Sequence, residues 1–187
     1  MTIQTLKDAL PEFAKDLKLN LGAVLEPEKL SREQAMGIAL ASAIASRSEA
    51  VETSMMAAAQ DMLSNEEVTG IKAAAAIMGM NNIYYRFLHL TKNEEYKKMQ
   101  AGLRMNIIKG HSIDHVNFEL YSLAVSVINA CDMCVSAHEK GLLDQGLTTR
   151  HIQEVVRIAS VVHAVSATLE SESIFAGGDT ARTRSAA

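Results

Sequence analysis

The sequence predicts an all-α protein, a compact helical domain, on three observations. Hydrophobic residues make up 48% of the chain, yet aromatics are 4% and Trp is absent, so the apolar content is Ala, Ile, Leu, Val and ten Met. Short or flexible side chains of this kind suit close helix packing better than sheets, which favour aromatic and β-branched residues. Only two Pro occur, Pro11 and Pro27, and nothing after Pro27 interrupts a helix in that way. No segment alternates apolar and polar residues as a half-buried strand does. A chain of 187 residues is long enough for one domain with a real core, expected over residues 1–175.

Taken in order, Leu6, Leu10, Phe13 and Leu17 recur at helical spacing, with Pro11 opening a turn. Pro27 and its polar neighbours mark a break. Ser31-Arg32-Glu33-Gln34 has the form of a capping box ahead of an Ala/Ile/Leu-rich helix to about Ser46. Residues 49–63 continue as helix. Ser64-Asn65-Glu66-Glu67 has the same capping-box form and opens a long helix through 73–80 toward His89. Residues 92–112 are more polar and punctuated by Gly102 and Gly110. A helix is expected from about Asp114 to Ile128. Asn129 is placed to cap the next, with Cys131 and Cys134 in its first turn and Gly146 at its end. Thr148 caps a last helix to about Ile174, and residues 176–187 read as a small, polar, disordered tail. The stretch 74–86 faintly echoes 124–138 in its small-residue spacing, as a duplicated helical unit would.

The composition excludes several function classes. The net charge is −4 with no basic block, which argues against nucleic acid. The first residues lack the apolar core of a secretory signal, and continuous apolar runs such as 73–80 are too short for a bilayer, so the cytoplasm is the expected compartment. No GxGxxG fingerprint is present, so no nucleotide cofactor is expected. The two Cys lie three residues apart. A staple across so short a loop restricts the unfolded chain little, and in a reducing compartment such a pair is more often redox-active or metal-binding.

The residues that carry chemistry are Glu119, Cys131, Cys134 and His138. On a helix, positions 131, 134 and 138 share a face, and His138 leans back over Cys134. A thiol beside an imidazole in a helix's first turn is favoured to ionise by the base, by exposed backbone N–H groups and by the helix dipole. Such a thiolate attacks peroxide to give a sulfenic acid, which a second thiol one turn away condenses to a disulfide. The pattern alone leaves two other readings open. One is a zinc site from Cys131, Cys134 and His138, with Glu119 or His115 as fourth ligand; the other is a pair of inert core cysteines. His89, His111, His151 and His163 belong to no motif, and the Met residues read as core filler.

Glu119-x11-Cys131-x2-Cys134-x3-His138 resembles the pattern of the AhpD-like alkylhydroperoxidases, within the wider carboxymuconolactone decarboxylase superfamily. The stretches at 10–21, 74–86, 102–108 and 117–139 carry the resemblance over about residues 3–175. It implies an all-helical homotrimer that reduces alkyl hydroperoxides at the cysteine pair and also reduces a partner peroxiredoxin. Electrons would come from NADH through lipoamide dehydrogenase and the dihydrolipoyl arm of a 2-oxoacid dehydrogenase acyltransferase, with no cofactor bound by the chain itself. By position, Cys134 matches the attacking thiol, Cys131 the resolving and proton-donating thiol, and Glu119 and His138 the proton relay. Met133 departs from the family, which can carry a His there. Two further functions compete: a thiol-disulfide adaptor for a peroxiredoxin with little peroxidase activity of its own, and a zinc-stabilised interaction module. A decarboxylase is disfavoured, because it would have no use for the dithiol.

Overall fold

The computed structural model describes residues 2–184, with backbone alone for 176–184. The described elements are helices: α1 (Ile3–Ala9), a 3-10 turn (Glu12–Ala14), α2 (Lys15–Val24), α3 (Arg32–Ser46), α4 (Glu49–Met62), α5 (Asn65–Leu90), α6 (Glu95–Lys98), α7 (Ile107–Gly110), α8 (His115–Ile128), α9 (Asp132–Asp144) and α10 (Thr149–Arg184). The all-α expectation holds, and no strand occurs among the described residues. α10 is assigned past the expected end near Ile174, and the expected tail at 176–187 lies outside the residues whose side chains are described.

The centre of the molecule is α3, whose residues from Ala35 to Ala43 are all buried. A helix that is small and apolar all round lets neighbours approach from every side. α10, α8, α4 and α5 pack around it. α8 is the second core helix, buried continuously from Leu120 to Ser126, with Phe118 buried just before it. Thr149–Phe175 is long and apolar enough by length and composition to cross a membrane, which the continuous-run reading did not anticipate. Here it serves as a core helix, with Val155, Ile158, Ala159, Val162 and Val165 fully or almost fully buried and Arg150, Glu154 and Arg157 on the same rod.

Three local expectations need correction. Pro11 does precede a turn, but a 3-10 one, and Phe13 projects outward at 80% exposure while Leu6 and Leu10 are buried. A 3-10 turn rotates each residue further than an α-helix, so the apolar stripe loses Phe13 there. The box at Ser31 is reciprocal as read, the Ser31 hydroxyl accepting from Gln34 N and the Gln34 side chain accepting from Ser31 N. That at Ser64 is half a box: Ser64 accepts from Glu67 N, but the Glu67 carboxylate crosses to α8, where Tyr121 donates to it at 2.6 Å and Asn117 at 3.0 Å. Burial first, and then the Glu67 acceptor, push the Tyr121 phenol far above its ordinary range. Gly37 makes room for this ring, since a Cβ there would lie 2.5 Å from it. Finally, the two echoing stretches adopt different structures: 74–86 lies inside α5, whereas 124–138 spans the end of α8, a turn and most of α9. These two stretches are therefore not structural equivalents of one another.

The break at Pro27 is held from a distance. One carboxylate, Glu154 on α10, accepts the backbone N–H groups of Glu28, Lys29 and Leu30 at 2.9 to 3.1 Å. Burial pushes this carboxyl up, but the three N–H donors, with His151 nearby, outweigh it and hold it below the usual range. A carboxyl depressed in the folded state adds stability that is present above its unfolded pKa and is lost as pH falls through the folded one. Glu154→Gln should therefore lower stability by roughly 1 kcal/mol at neutral pH, allowing for solvent screening, and by less at a second, acidic pH below the usual carboxylate range. Urea melts of both proteins at the two pH values read this, and a pH-independent difference would show that shape rather than charge holds the loop.

Candidate active site

The site is built where α8 ends and α9 begins. Asn129 closes α8. Ala130 then takes φ +52°, a left-handed conformation. Ala130 N donates to Val127 O and Cys131 N to Ser126 O, both at 3.1 Å. This is a Schellman motif, which satisfies the last carbonyls of a helix and fixes the direction of the chain leaving it. Cys131 is thus tied to α8 by its backbone. It also caps α9, its Sγ accepting from Cys134 N at 3.3 Å. The sequence reading gave the cap to Asn129; the structure gives it to Cys131, because the left-handed residue sits one place later than a Gly or Asn signal would have put it.

Cys131 and Cys134 are joined as a disulfide, with Cα atoms 5.3 Å apart. The two sulfurs are not equivalent in access. Cys131 is completely buried, while Cys134 lines a cavity of about 290 Å³ together with Met78, Asn81, Tyr85, Met105, Ile108, Met133, Ala137 and His138. Three of the methionines read as core filler are pocket wall instead.

His138 and Glu119 meet as the sequence placed them. His138 Nδ1 lies 2.8 Å from Glu119 Oε2, and both side chains are 12% exposed. Glu119 sits between the buried Phe118 and Leu120, which accounts for its low exposure. The other ring nitrogen, Nε2, faces Met78 Sδ at 3.3 Å. His138 therefore lines the Cys134 cavity while its described partners are Glu119 and Met78. His115 is elsewhere, stacked on His111 in front of Phe118, and does not join the cysteines. With the cysteines bonded to each other and His138 turned to Glu119, the residues of the zinc reading do not converge on a point; no metal-holding cluster of three or more His, Cys, Asp or Glu occurs among the described residues.

Sequence reasoning missed the supports that come from α5. Arg86 donates to the Asn129 carbonyl at 2.6 Å. Asn82 accepts from Asn129 Nδ2 at 3.0 Å and donates to Ser126 Oγ at 2.9 Å. His89 Nδ1 lies 3.0 Å from the Asp132 carboxylate beside the dithiol, both about half exposed. Asn82, Arg86 and His89 recur at helical spacing, so one stripe of α5 faces the joint. The available signal was a set of amides and an Arg inside an otherwise apolar helix.

A dithiol at a helix N-terminus, backed by a buried His–Glu pair and opening on an apolar cavity, defines a helical thiol-redox protein. Comparison with known proteins places it more closely. Residues 94–176 match the model of the carboxymuconolactone decarboxylase family. A protein of Rhodospirillum centenum described as alkyl hydroperoxide reductase AhpD is 47% identical over 179 residues, covering 96% of each chain. Proteins of the same description from Frankia alni and Gluconacetobacter diazotrophicus are 48% and 50% identical, covering 91% of this chain and 92% and 93% of their own. The chain belongs to the AhpD family of alkyl hydroperoxide reductases.

The double duty of Cys131 as thiol and cap has a measurable consequence. Ser is a strong N-cap and Ala a poor one. With wild type kept reduced, Cys131→Ser should unfold at about the wild-type temperature, whereas Cys131→Ala should lose about 1 kcal/mol. Equal stability of the two variants in thermal melts would remove the cap from the description.

Proposed function

We propose that this protein is an antioxidant thiol peroxidase that reduces alkyl hydroperoxides at Cys131 and Cys134 and passes electrons from dihydrolipoyl groups to a partner peroxiredoxin. The observation that carries the reading is the asymmetry of the dithiol: Cys134 opens on an apolar cavity beside His138, and Cys131 is buried behind it. The names of the relatives point to the same chemistry.

In the reduced protein the Cys134 thiolate attacks the terminal oxygen of R–O–O–H. The S–O bond forms, the O–O bond breaks, and the alkoxide leaves and takes a proton to become ROH. Cys134 is then a sulfenic acid. Cys131, tethered one turn away, attacks its sulfur, closing the disulfide and expelling water. Two electrons have passed from the dithiol to the peroxide. Glu119 and His138 form the proton relay: the carboxylate fixes the imidazole from Nδ1, which leaves Nε2 on the cavity side to exchange protons with Cys134 through solvent or substrate. Met133 takes no part in proton transfer and contributes apolar wall.

An external dithiol must then reopen the disulfide. No nucleotide-binding fingerprint or further Cys offers an internal route, and a slender dihydrolipoyl arm reaches a pocket-lined sulfur more readily than a bulky redox protein. NADH, lipoamide dehydrogenase and a lipoylated acyltransferase complete the chain of donors. The proposed assembly is a homotrimer and the proposed compartment the cytoplasm, where a lone CxxC is kept in turnover.

NADH oxidation on adding cumene hydroperoxide to the reconstituted lipoyl system tests the activity. Turnover should exceed that with thioredoxin at equal protein, and a sulfenic-acid probe should label Cys134 in Cys131→Ser. No peroxide consumption with any dithiol donor would sink the peroxidase assignment. Faster turnover with thioredoxin would sink only the lipoyl donor.

The relay makes a separate demand. Glu119→Gln and His138→Gln keep a hydrogen-bonding group in each buried position, so melting temperatures should change little. Turnover should fall by about 10²–10⁴-fold, the usual contribution of general acid–base catalysis. Wild-type rates in both variants would take the pair out of the mechanism.

A further inference from the structure

Two polar side chains of the cavity wall, Asn81 and Tyr85, take no part in the chemistry above. Asn81 on α5 is 4% exposed, lines the cavity, and buries an Oδ1 that has no hydrogen-bond partner. An unpaired buried amide oxygen is costly, and such atoms in a folded protein ask for an explanation. Its neighbour provides the contrast. The Asn82 amide is spent on both sides, on Ser126 and on Asn129. One residue along a helix turns about 100°, so Asn82 faces the α8–α9 joint while Asn81 falls in line with Met78 and Tyr85, at i+3 and i+7 of one stripe along the cavity. Tyr85 has its hydroxyl 4.0 Å from Met105 Sδ, a weak partner, and of the two only Asn81 buries a polar atom with no partner. Asn81 is thus a buried polar side chain left without a protein partner in an apolar wall, in the same pocket as the reactive sulfur.

Resting on the peroxidase reading, we propose that Asn81 is the substrate anchor: its amide holds the hydroperoxide group and sets the terminal oxygen against Cys134 Sγ, while the alkyl tail lies on the methionine wall. The chemistry matches. A hydroperoxide carries one O–H donor and two acceptor oxygens, and an amide offers one acceptor and two donors. The χ2 torsion of Asn is broad, so either end of the amide can turn to the ligand. A turn of the amide about χ2 brings this oxygen, which has no protein partner, onto the ligand. The anchor takes no electrons and no proton. It orients R–O–O–H so that thiolate attack on the terminal oxygen expels the alkoxide away from the dithiol, toward solvent and His138.

Asn81→Leu keeps the volume and removes the hydrogen bonding. Reduced wild type and variant are mixed with cumene hydroperoxide, and disulfide formation is followed by acid quench and thiol counting. The same proteins are treated with iodoacetamide, which reports thiolate reactivity at Cys134 without needing an anchor for O–O–H. Disulfide reduction by dihydrolipoamide is measured in parallel. The variant should be oxidised about 10- to 100-fold more slowly, the cost of losing a hydrogen bond in a buried site. Alkylation and reduction should stay within about twofold of wild type, the spread of small environmental effects on a rate, and the melting temperature should hold or rise because the orphan oxygen is gone. Oxidation at the wild-type rate overturns the anchor while leaving the peroxidase intact. A parallel fall in oxidation and alkylation also overturns it, since Asn81 would then act on the thiol rather than the substrate. Loss of folding in Asn81→Leu shifts the same comparison to Asn81→Ala, with the same outcomes. Wild type inert to cumene hydroperoxide overturns the peroxidase reading, and the anchor with it.

Discussion

The guanidinium of Arg86 on the carbonyl of Asn129 is the contact on which the site depends. That carbonyl belongs to the C-cap residue of α8, and a helix end leaves such groups unpaired. The Schellman bonds take care of Ser126 and Val127, and Arg86 takes Asn129. A charged donor at 2.6 Å on a partly buried carbonyl is worth more than a neutral one. With Asn82 holding the Asn129 side chain and Ser126, α5 clamps the helix end from two positions one turn apart. The clamp keeps Ala130 in its left-handed conformation, a state that costs an ordinary residue about 1–2 kcal/mol. The direction of α9, and with it the placing of both sulfurs, follows from that one backbone angle.

The same helix does two jobs because two of its stripes have different neighbours. One carries Asn82 and Arg86 to the α8–α9 joint and the other carries Met78, Asn81 and Tyr85 to the cavity. Scaffold and substrate wall are therefore parts of one rigid rod, and the distance between the pocket floor and Cys134 is set by helix geometry rather than by loop packing. Glu67 ties the far end of α5 to α8 through Tyr121 and Asn117, and Gln34 extends that network to α3. Both ends of the α5–α8 contact are thus fixed by polar bonds, with apolar packing between them.

The helices were legible in the sequence because their signals are local. Ser31 with Gln34, the Pro-free run after Pro27, and the apolar spacing of α3, α5, α8 and α10 require nothing beyond neighbouring residues. The placing of Cys134 and His138 one turn apart on the same helix was legible for the same reason. What was missed depends on partners distant in the chain. Ser64 and Glu67 have the spelling of a capping box, but a carboxylate prefers a buried phenol and an amide to its own helix end. Asn129 has the better composition for a cap, yet the cap falls to Cys131 because Ala130 adopts a conformation its side chain gives no sign of. Phe13 fits an α-helical stripe and is exposed because the local turn is 3-10. Asn81, Asn82 and Arg86 read as ordinary polar residues, and only the packing of α5 separates a spent amide from an unspent one.

The imidazole shows how little holds the reactive side of the site in place. When Glu119 is ionised it only accepts, so the hydrogen between it and His138 resides on Nδ1. That interaction is charge-assisted, sheltered, and fixes the ring plane. On the other side, Nε2 meets only the thioether of Met78, a weak partner in either role. The ring is thus firmly tied away from the dithiol and loosely tied toward it. The proposed relay would need that imbalance: a strong bond on the pocket side would hold the proton where no substrate could claim it, whereas a thioether would give way to water, to the thiol of Cys134 or to a departing alkoxide. A methionine in this position, unlike a hydrogen-bonding residue, leaves Nε2 available.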